Sequence, residues 1–128
     1  MKKKIISLIV CVLLLTACDE KITYKTITEN EATPLIENNA IVIDVRSVEE
    51  YNSGHIEDSV NIPVDNISSI NYDKEQVIIV YCASGRRSAN AAQKLIDLGY
   101  KKVYNLDGGL INWGDELVSD ESIVENED

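Results

Sequence analysis

Two largely apolar runs stand out in the hydrophobic pattern of the chain. Residues 40–45 and 77–81 consist mostly of aliphatic side chains and are bounded by turn residues, which is typical of strands buried on both faces of a sheet. The apolar positions of residues 89–98 recur instead at helical spacing, and Gly99 follows as a helix-ending glycine. The pattern therefore predicts parallel strands covered by helices.

Weaker patterns complete this prediction. Thr28 can cap a helix that begins near Glu29, and Ser47 with Glu50 three residues later forms a capping box for a second short helix. Further strands are predicted at residues 24–27, 60–63 and 103–106, and short helical turns at residues 64–70 and after Gly109. We expect an α/β domain with a mainly parallel central sheet of about five strands and helices on both faces.

The first residues read as a signal peptide. Lys2, Lys3 and Lys4 precede an apolar stretch over residues 5–15, which is shorter than the ~20 residues of a membrane-spanning helix. The segment 15–18, Leu-Thr-Ala-Cys, resembles the lipobox of bacterial lipoproteins, and the resemblance implies cleavage after residue 17 and lipidation of Cys18. The alternative is a free thiol at Cys18 in an ordinary secreted protein. We expect a chain anchored by lipid to the cell membrane, at its extracytoplasmic face.

Charge limits the partners of the mature chain. Removing residues 1–17 takes away three lysines and moves the formal net charge from −10 to −13. Such a protein is not attracted to nucleic acid or to anionic lipid headgroups, so membrane attachment has to come from the lipid. We expect a tether over residues 18–22, a domain over residues 23–117 and an acidic disordered tail over residues 118–128.

The chain has three cysteines, and only one remains as a thiol in this interpretation. Cys11 leaves with the signal peptide and Cys18 carries lipid, so Cys82 has no cysteine partner within the chain. A structural disulfide, a CxxC redox pair and a cysteine-rich zinc site are thereby excluded. No metal and no cofactor are expected.

Cys82 lies between the second apolar run and the predicted helix at residues 89–98. The carboxyl ends of parallel strands are where sites form in such sheets. A helix N-terminus, nearby arginines and a tight loop of inward-pointing amides each lower the pKa of a thiol and favour the nucleophilic thiolate. The sequence therefore predicts a reactive cysteine that handles anions, together with its loop: Ala83, Ser84, Gly85, Arg86, Arg87 and Ser88.

Three ordered segments resemble the rhodanese family. They are residues 43–56 with 60–63, residues 81–89, and residues 106–113, and together they extend the resemblance over about residues 23–117. The resemblance implies that Cys82 takes the outer sulfur of thiosulfate or a related small anionic donor as a persulfide. A cyanide or external thiol acceptor then removes that sulfur. We expect the protein to be a monomer.

The physical chemistry of the loop agrees with this reaction and indicates roles for the neighbours of Cys82. The amides of residues 83–88 would hold the persulfide and the donor's oxyanion, while Arg86 and Arg87 favour the departing sulfite. Ser88 would cap the helix and donate a hydrogen bond toward the sulfur. Asp44, Arg46 and Glu50 are expected to support the site structurally, as an ion pair or hydrogen-bond network, with Glu50 accepting from Arg46 or a loop arginine.

Several residues, and the function itself, have more than one interpretation. Glu57-Asp58-Ser59 replaces the family's usual Pro-Gly-Ala, which puts two extra carboxylates on a surface turn. We expect this turn to alter the mouth of the site without touching the catalytic loop. His55 could form a Cys–His pair, although a structural contact is the preferred interpretation, and Trp113 is expected to pack in the core. Two alternative functions are a non-catalytic carrier of sulfane sulfur and a cysteine phosphatase or arsenate reductase. The second is disfavoured because those enzymes use Cys-x5-Arg and this loop is Cys-x4-Arg.

Overall fold

The computed structural model describes residues 20–119. The predicted signal peptide, the predicted lipidation site at Cys18 and the acidic tail from residue 120 lie outside the described residues. The strands are β1 (Lys25–Ile27), β2 (Ile41–Asp44), β3 (Val60–Asn61), β4 (Val77–Tyr81) and β5 (Lys102–Leu106). The helices are α1 (Glu29–Glu37), α2 (Val48–Ser53) and α3 (Arg86–Asp97), with two 3₁₀ helices at Val64–Ser69 and Gly109–Asn112.

The five strands form one sheet in the order β1-β5-β4-β2-β3. Every pairing is parallel, so all strands end at the same edge of the sheet. The most apolar strand, β4, lies at the centre between β5 and β2. The predicted α/β fold with a parallel sheet of about five strands is confirmed.

Each face of the sheet has its own apolar core. On one face, α3 and the first 3₁₀ helix pack through Leu95 and Ile67 against β4 residues such as Ile78 and Val80. On the other face, α1 and the second 3₁₀ helix pack against Ile79, Tyr81 and other members of a second cluster. Burial on both faces explains why the sequences of β2 and β4 are apolar without alternation.

Capping boxes define the starts of α1 and α2. Thr28 accepts a hydrogen bond from the Glu31 amide, and Ser47 accepts one from the Glu50 amide. In each case the glutamate side chain reaches back to the backbone N–H of the capping residue. These local signals placed both helix starts correctly from the sequence.

The start of α3 differs from the prediction. The helix begins at Arg86, three residues before the expected start, and Gly85 occupies the N-cap with φ 95° and no side-chain cap. Ser88 therefore does not cap the helix; it lies buried within the first turn. The left-handed backbone of Gly85 allows the loop to turn into the helix earlier than the sequence pattern indicated.

The domain continues one residue past its predicted end. Val118 and His55 form an isolated antiparallel bridge, in which each backbone amide donates to the other residue's carbonyl at 2.9 Å. The predicted disordered tail over residues 118–128 is therefore wrong at Val118, because this pairing holds the chain against the start of the turn after α2.

The chain enters the sheet at the edge opposite the carboxyl ends of the strands. Thr23 and Lys25 lie beside Lys101 and Lys102, where β5 begins. Cys82 directly follows β4, at the carboxyl end of the central strand. Between residues 20 and 119, no helix has the length and apolarity needed to cross a bilayer.

Candidate active site

The sulfur of Cys82 lies at the bottom of the loop that joins β4 to α3. The Gly85 amide donates to Sγ at 3.1 Å and the Ser88 amide at 3.4 Å. The Ser88 hydroxyl oxygen also lies 3.4 Å from Sγ. Cys82 is a free cysteine and only 1% of its surface is exposed. The N-cap and first-turn amides of α3 thus converge on one sulfur atom, as the sequence predicted.

These contacts favour the thiolate. Burial raises the pKa of Cys82, but hydrogen bonds from the Ser88 side chain and from the amides of Ser88, Ser84 and Gly85 outweigh it. The net effect is a Cys82 pKa below its ordinary value. A thiolate held by hydrogen bonds in a partly dehydrated loop is a nucleophile that needs no adjacent base.

The two arginines contribute less directly than predicted. Arg87 forms an ion pair with Glu50 across 2.8 Å, so its charge is partly neutralised. Arg86 is exposed and forms no ion pair with any residue between 20 and 119. The predicted acceptance by Glu50 from a loop arginine is present, whereas hydrogen bonds make the largest favourable contributions to the thiolate.

The Arg87 partner also changes the acidity of Glu50. Hydrogen bonding to Arg87 is the largest cause that lowers the pKa of Glu50, to about 2, against a smaller opposing effect of burial. Glu50 also belongs to the capping box of α2. One carboxylate therefore defines the start of α2 and holds the first turn of α3 through Arg87.

A second turn supports the back of the loop. The Leu110 amide donates to the Cys82 carbonyl at 3.1 Å, and the Ile111 amide donates to the Ala83 carbonyl at 3.2 Å. Gly109 approaches so closely that a Cβ at this position would lie 2.1 Å from the Cys82 carbonyl oxygen. The Asp107-Gly108-Gly109 sequence was expected to form a turn, but its direct contact with the loop could not be read from the sequence.

Asp44 and Arg46 form the predicted ion pair beside the central strand. Arg46 donates through Nη2 to Asp44 Oδ2 and to the Gly54 carbonyl, both at 2.6 Å, and the exposed fractions of the side chains are 7% and 0%. Burial lowers the pKa of Arg46, but the contacts with Asp44 outweigh this effect and raise it. Asp44 lies level with Tyr81 of β4, so the pair fixes the turn after β2 next to the strand that carries Cys82.

His55 has a structural role, and its contacts lie away from Cys82. Its ring stacks on Tyr51 with centroids 3.7 Å apart, Nδ1 lies 2.7 Å from the Tyr51 carbonyl oxygen, and its backbone pairs with Val118. No Cys–His pair is formed. No cluster of three His, Cys, Asp or Glu side chains within residues 20–119 is arranged to hold a metal ion.

Trp113 packs against the core that contains α1, as expected. Its indole Nε1 is buried and has no hydrogen-bond partner among residues 20–119. Trp113 therefore contributes apolar packing to the core on the α1 face of the sheet.

The Glu57-Asp58-Ser59 turn is not at the mouth of the site. Glu57 and Asp58 line a cleft with Ile36 and Trp113, to which no residue of the Cys82 loop contributes. Ser59 is buried, and its hydroxyl lies 3.0 Å from the Tyr81 hydroxyl. The expectation that this turn shapes the mouth of the site is wrong. Tyr81 projects to the face of the sheet opposite Cys82, and the turn lies on that face because Ser59 contacts the Tyr81 hydroxyl.

Asn105 was missed by the sequence-based prediction. It lies on β5, level with Val80 of β4, and only 4% of its surface is exposed. Its Oδ1 accepts from the Ser88 hydroxyl at 2.5 Å, and its Nδ2 donates to the Gly85 carbonyl at 3.4 Å. A buried-strand pattern at Val103 and Leu106 interrupted by the polar Asn105 was the one available signal, but the partners of Asn105 depend on the order of strands in the sheet.

Comparison with known proteins agrees with this geometry. Residues 28–116 match the family model of the rhodanese-like domain. The thiosulfate sulfurtransferase GlpE of Coxiella burnetii is 38% identical over 93 residues, which are 70% of this chain and 87% of that protein. GlpE of Pseudomonas paraeruginosa is 36% identical over 109 residues, which are 82% of this chain and 97% of that protein.

A solved structure shows the same architecture. The crystal structure of a rhodanese-like domain protein from Staphylococcus aureus superposes with a TM-score of 0.67 at 33% sequence identity, covering 74% of this chain and 97% of that one. Fold, cysteine loop and sequence relatives agree: the chain belongs to the rhodanese-like domain family and is a sulfurtransferase of the rhodanese type.

Proposed function

We propose that this protein transfers sulfane sulfur from thiosulfate or a related anionic donor to a cyanide or thiol acceptor, through a persulfide on Cys82. The convergence of the Gly85 and Ser88 amides on the Cys82 sulfur carries this proposal. The same amides that favour a thiolate also suit a persulfide anion. Names of relatives that specify thiosulfate sulfurtransferases support the choice of donor.

The transfer consists of two displacements at sulfur. The Cys82 thiolate attacks the outer sulfur of thiosulfate, a new S–S bond forms, and the S–S bond of the donor breaks as sulfite leaves with the bonding pair. The acceptor then attacks the terminal sulfur of the persulfide. With cyanide the products are thiocyanate and the regenerated Cys82 thiolate, and no oxidant is needed.

Burial of Cys82 suits the second displacement. Only 1% of the residue is exposed, but the terminal sulfur of a persulfide extends ~2 Å beyond Sγ. Loading therefore places the reacting sulfur one S–S bond length beyond the buried Sγ. Cys82 has no resolving cysteine among residues 20–119, so an outside acceptor discharges the persulfide.

Cyanolysis tests this activity. The full-length chain, purified in detergent, is incubated with thiosulfate and cyanide beside Cys82→Ala, and thiocyanate is measured together with the mass of the protein. Thiocyanate formation and a mass gain of one sulfur on Cys82, both lost in the variant, are expected. Absence of both contradicts the proposal. A persulfide without turnover indicates a carrier, and phosphate release from an aryl phosphate indicates the phosphatase class.

We further propose that the enzyme acts as a monomer anchored by lipid on Cys18 at the extracytoplasmic face of the cell membrane. The basic and apolar segment that precedes Leu-Thr-Ala-Cys supports this location. Replacing Cys18 with Ala is expected to leave an unprocessed precursor without acyl label. Normal processing of that variant contradicts the anchor and leaves the proposed chemistry of Cys82 untouched.

A further inference from the structure

The Ser88 hydroxyl lies between two groups that compete for its single proton. Its oxygen is 2.5 Å from Asn105 Oδ1 and 3.4 Å from Cys82 Sγ, and Ser88 is completely buried. A serine hydroxyl donates one hydrogen bond at a time. In the observed geometry the short contact is with Asn105, so the proton lies on the Asn105 side.

Asn105 contacts two of the loop residues that donate to the sulfur. Its Oδ1 accepts from Ser88, and its Nδ2 donates to the carbonyl of Gly85. The side chain is buried on β5 beside the carboxyl end of β4. Among the described residues, Asn105 forms no hydrogen bond with Sγ itself.

We propose that Asn105 is a positioning residue that determines which way the Ser88 hydroxyl donates, and so sets how strongly the loop holds an anionic sulfur. With Cys82 as a thiol, S–H donates to Ser88 Oγ and the hydroxyl donates to Asn105. When Cys82 ionises or carries a persulfide, the hydroxyl rotates toward the sulfur and Asn105 Oδ1 loses that donor. The role in sulfur transfer rests on the proposed function, but the competition for the proton does not.

The charged groups around the loop are held by other partners. Arg87 from α3 is paired with Glu50 from α2, and Asp44 from β2 is paired with Arg46. Arg86 is exposed at the start of α3. None of these groups has a hydrogen bond with Asn105 or Ser88 among the described residues, so substitutions at Asn105 change the hydroxyl without breaking an ion pair.

The test measures the thiolate of the full-length chain directly, through the pH dependence of Cys82 alkylation by iodoacetamide. Asn105→Leu keeps the branching at Cγ and cannot accept a hydrogen bond. It frees the hydroxyl to donate to the sulfur. At pH values below the midpoint of the pH–rate profile, the alkylation rate is therefore expected to rise by about three- to tenfold, where tenfold corresponds to one pKa unit. The control is Asn66→Leu, at an exposed position of the first 3₁₀ helix, which should leave the midpoint unchanged.

The same substitution in a Ser88→Ala protein tests whether the Ser88 hydroxyl is responsible for the shift. In Ser88→Ala, which has no proton to redirect, adding Asn105→Leu is expected to produce no further change in the alkylation midpoint. An equal shift with and without Ser88, no shift in either background, or a shift to higher pH in Asn105→Leu overturns the proposal.

A near-isosteric variant covers the case in which leucine prevents folding. Asn105→Asp keeps an acceptor for Ser88 and adds negative charge, so the midpoint should move to higher pH, and by less when Ser88 is alanine. Identical shifts in the two backgrounds refute the role of the hydroxyl. Alkylation reports the thiolate whether or not sulfur is transferred, so failure here is distinct from failure of the cyanolysis assay.

Discussion

Arg87 donates to both carboxylate oxygens of Glu50, through Nη1 at 2.8 Å and Nη2 at 3.0 Å. This two-point contact joins the first turn of α3 to α2. It also keeps the nearest cationic side chain of the loop from acting on the sulfur with its full charge. Two consequences of this pair can be measured.

Replacing Glu50 with Gln should make Cys82 more reactive. The variant leaves the charge of Arg87 without its partner, and a nearby cation favours the thiolate. We expect the rate of Cys82 alkylation below its midpoint to rise by about two- to fivefold, since solvent screens part of the charge. Glu75→Gln removes a carboxylate from the exposed pair with Lys101 and should have no effect. A slower reaction in Glu50→Gln would show that Arg87 acts mainly by holding the loop in place.

Glu50 should stabilise the fold at neutral pH and lose this effect in acid. Its pKa in the folded state is about 2, below its ordinary value of about 4.5, so the stabilising contribution is fully present above about pH 4.5 and disappears as the pH falls toward 2. Because the pair is partly exposed, the contribution is less than about 1 kcal/mol. Denaturant unfolding of the wild type and Glu50→Gln across this range measures it. A difference in unfolding free energy between the two proteins that stays constant with pH contradicts the lowered pKa of Glu50.

Asp44→Asn should strongly destabilise the domain. The substitution leaves the buried Arg46 guanidinium without a counter-charge, which typically costs ~3–5 kcal/mol. Urea unfolding measures the loss, and Glu75→Gln again serves as the exposed comparison, for which no measurable change is expected. Equal stability of Asp44→Asn and the wild type would mean that Arg46 is satisfied without the carboxylate.

Gly109→Ala should damage the cysteine loop through a direct clash. The added Cβ would lie 2.1 Å from the Cys82 carbonyl oxygen, at φ +53°. Gly99→Ala is the matched control, since φ is +97° there and no heavy atom lies within 4 Å of the added Cβ. Left-handed strain alone costs ~1–3 kcal/mol. Gly109→Ala is therefore expected to lose more stability than Gly99→Ala in thermal unfolding, and to slow Cys82 alkylation. Equal losses of stability in the two variants would show that the close approach of Gly109 to the Cys82 carbonyl is not the cause.

Tyr81→Phe should loosen the turn after α2. The Tyr81 hydroxyl accepts from the Ile56 amide at 3.1 Å and lies 3.0 Å from the Ser59 hydroxyl. Leaving these buried groups unpaired costs ~1–3 kcal/mol. Tyr104→Phe removes a hydroxyl that has no hydrogen-bond partner within residues 20–119 and serves as the control in chemical denaturation. A Tyr81→Phe variant as stable as Tyr104→Phe would show that water replaces the lost hydroxyl.

Local sequence was enough to predict most of the scaffold. The strand at Val77–Tyr81 agrees with its apolar run, and both capping boxes formed where Ser47 and Thr28 indicated. Such signals involve residues within one turn of each other, so they do not depend on the rest of the fold. The start of α3 was misplaced because Ser88 is a common capping residue, while a capping glycine leaves no such local mark.

The missed parts of the site depend on contacts between distant segments. Asn105 meets Ser88 only because β5 lies beside β4, and Gly109 meets Cys82 because the next turn folds over the same strand end. The pairing of Val118 with His55 crosses 63 positions of sequence in the same way. Strand order determines these contacts, and neither hydrophobic period nor capping preference carries that information.

The direction of the strands also determines where the N-terminal segment lies relative to Cys82. Thr23 lies by Lys101 and Lys102 where β5 begins, whereas Cys82 follows the last residue of β4. Thr23 and the sulfur are thus at opposite ends of the strands. Under the proposed attachment through residue 18, the loop that holds Cys82 would face away from the bilayer.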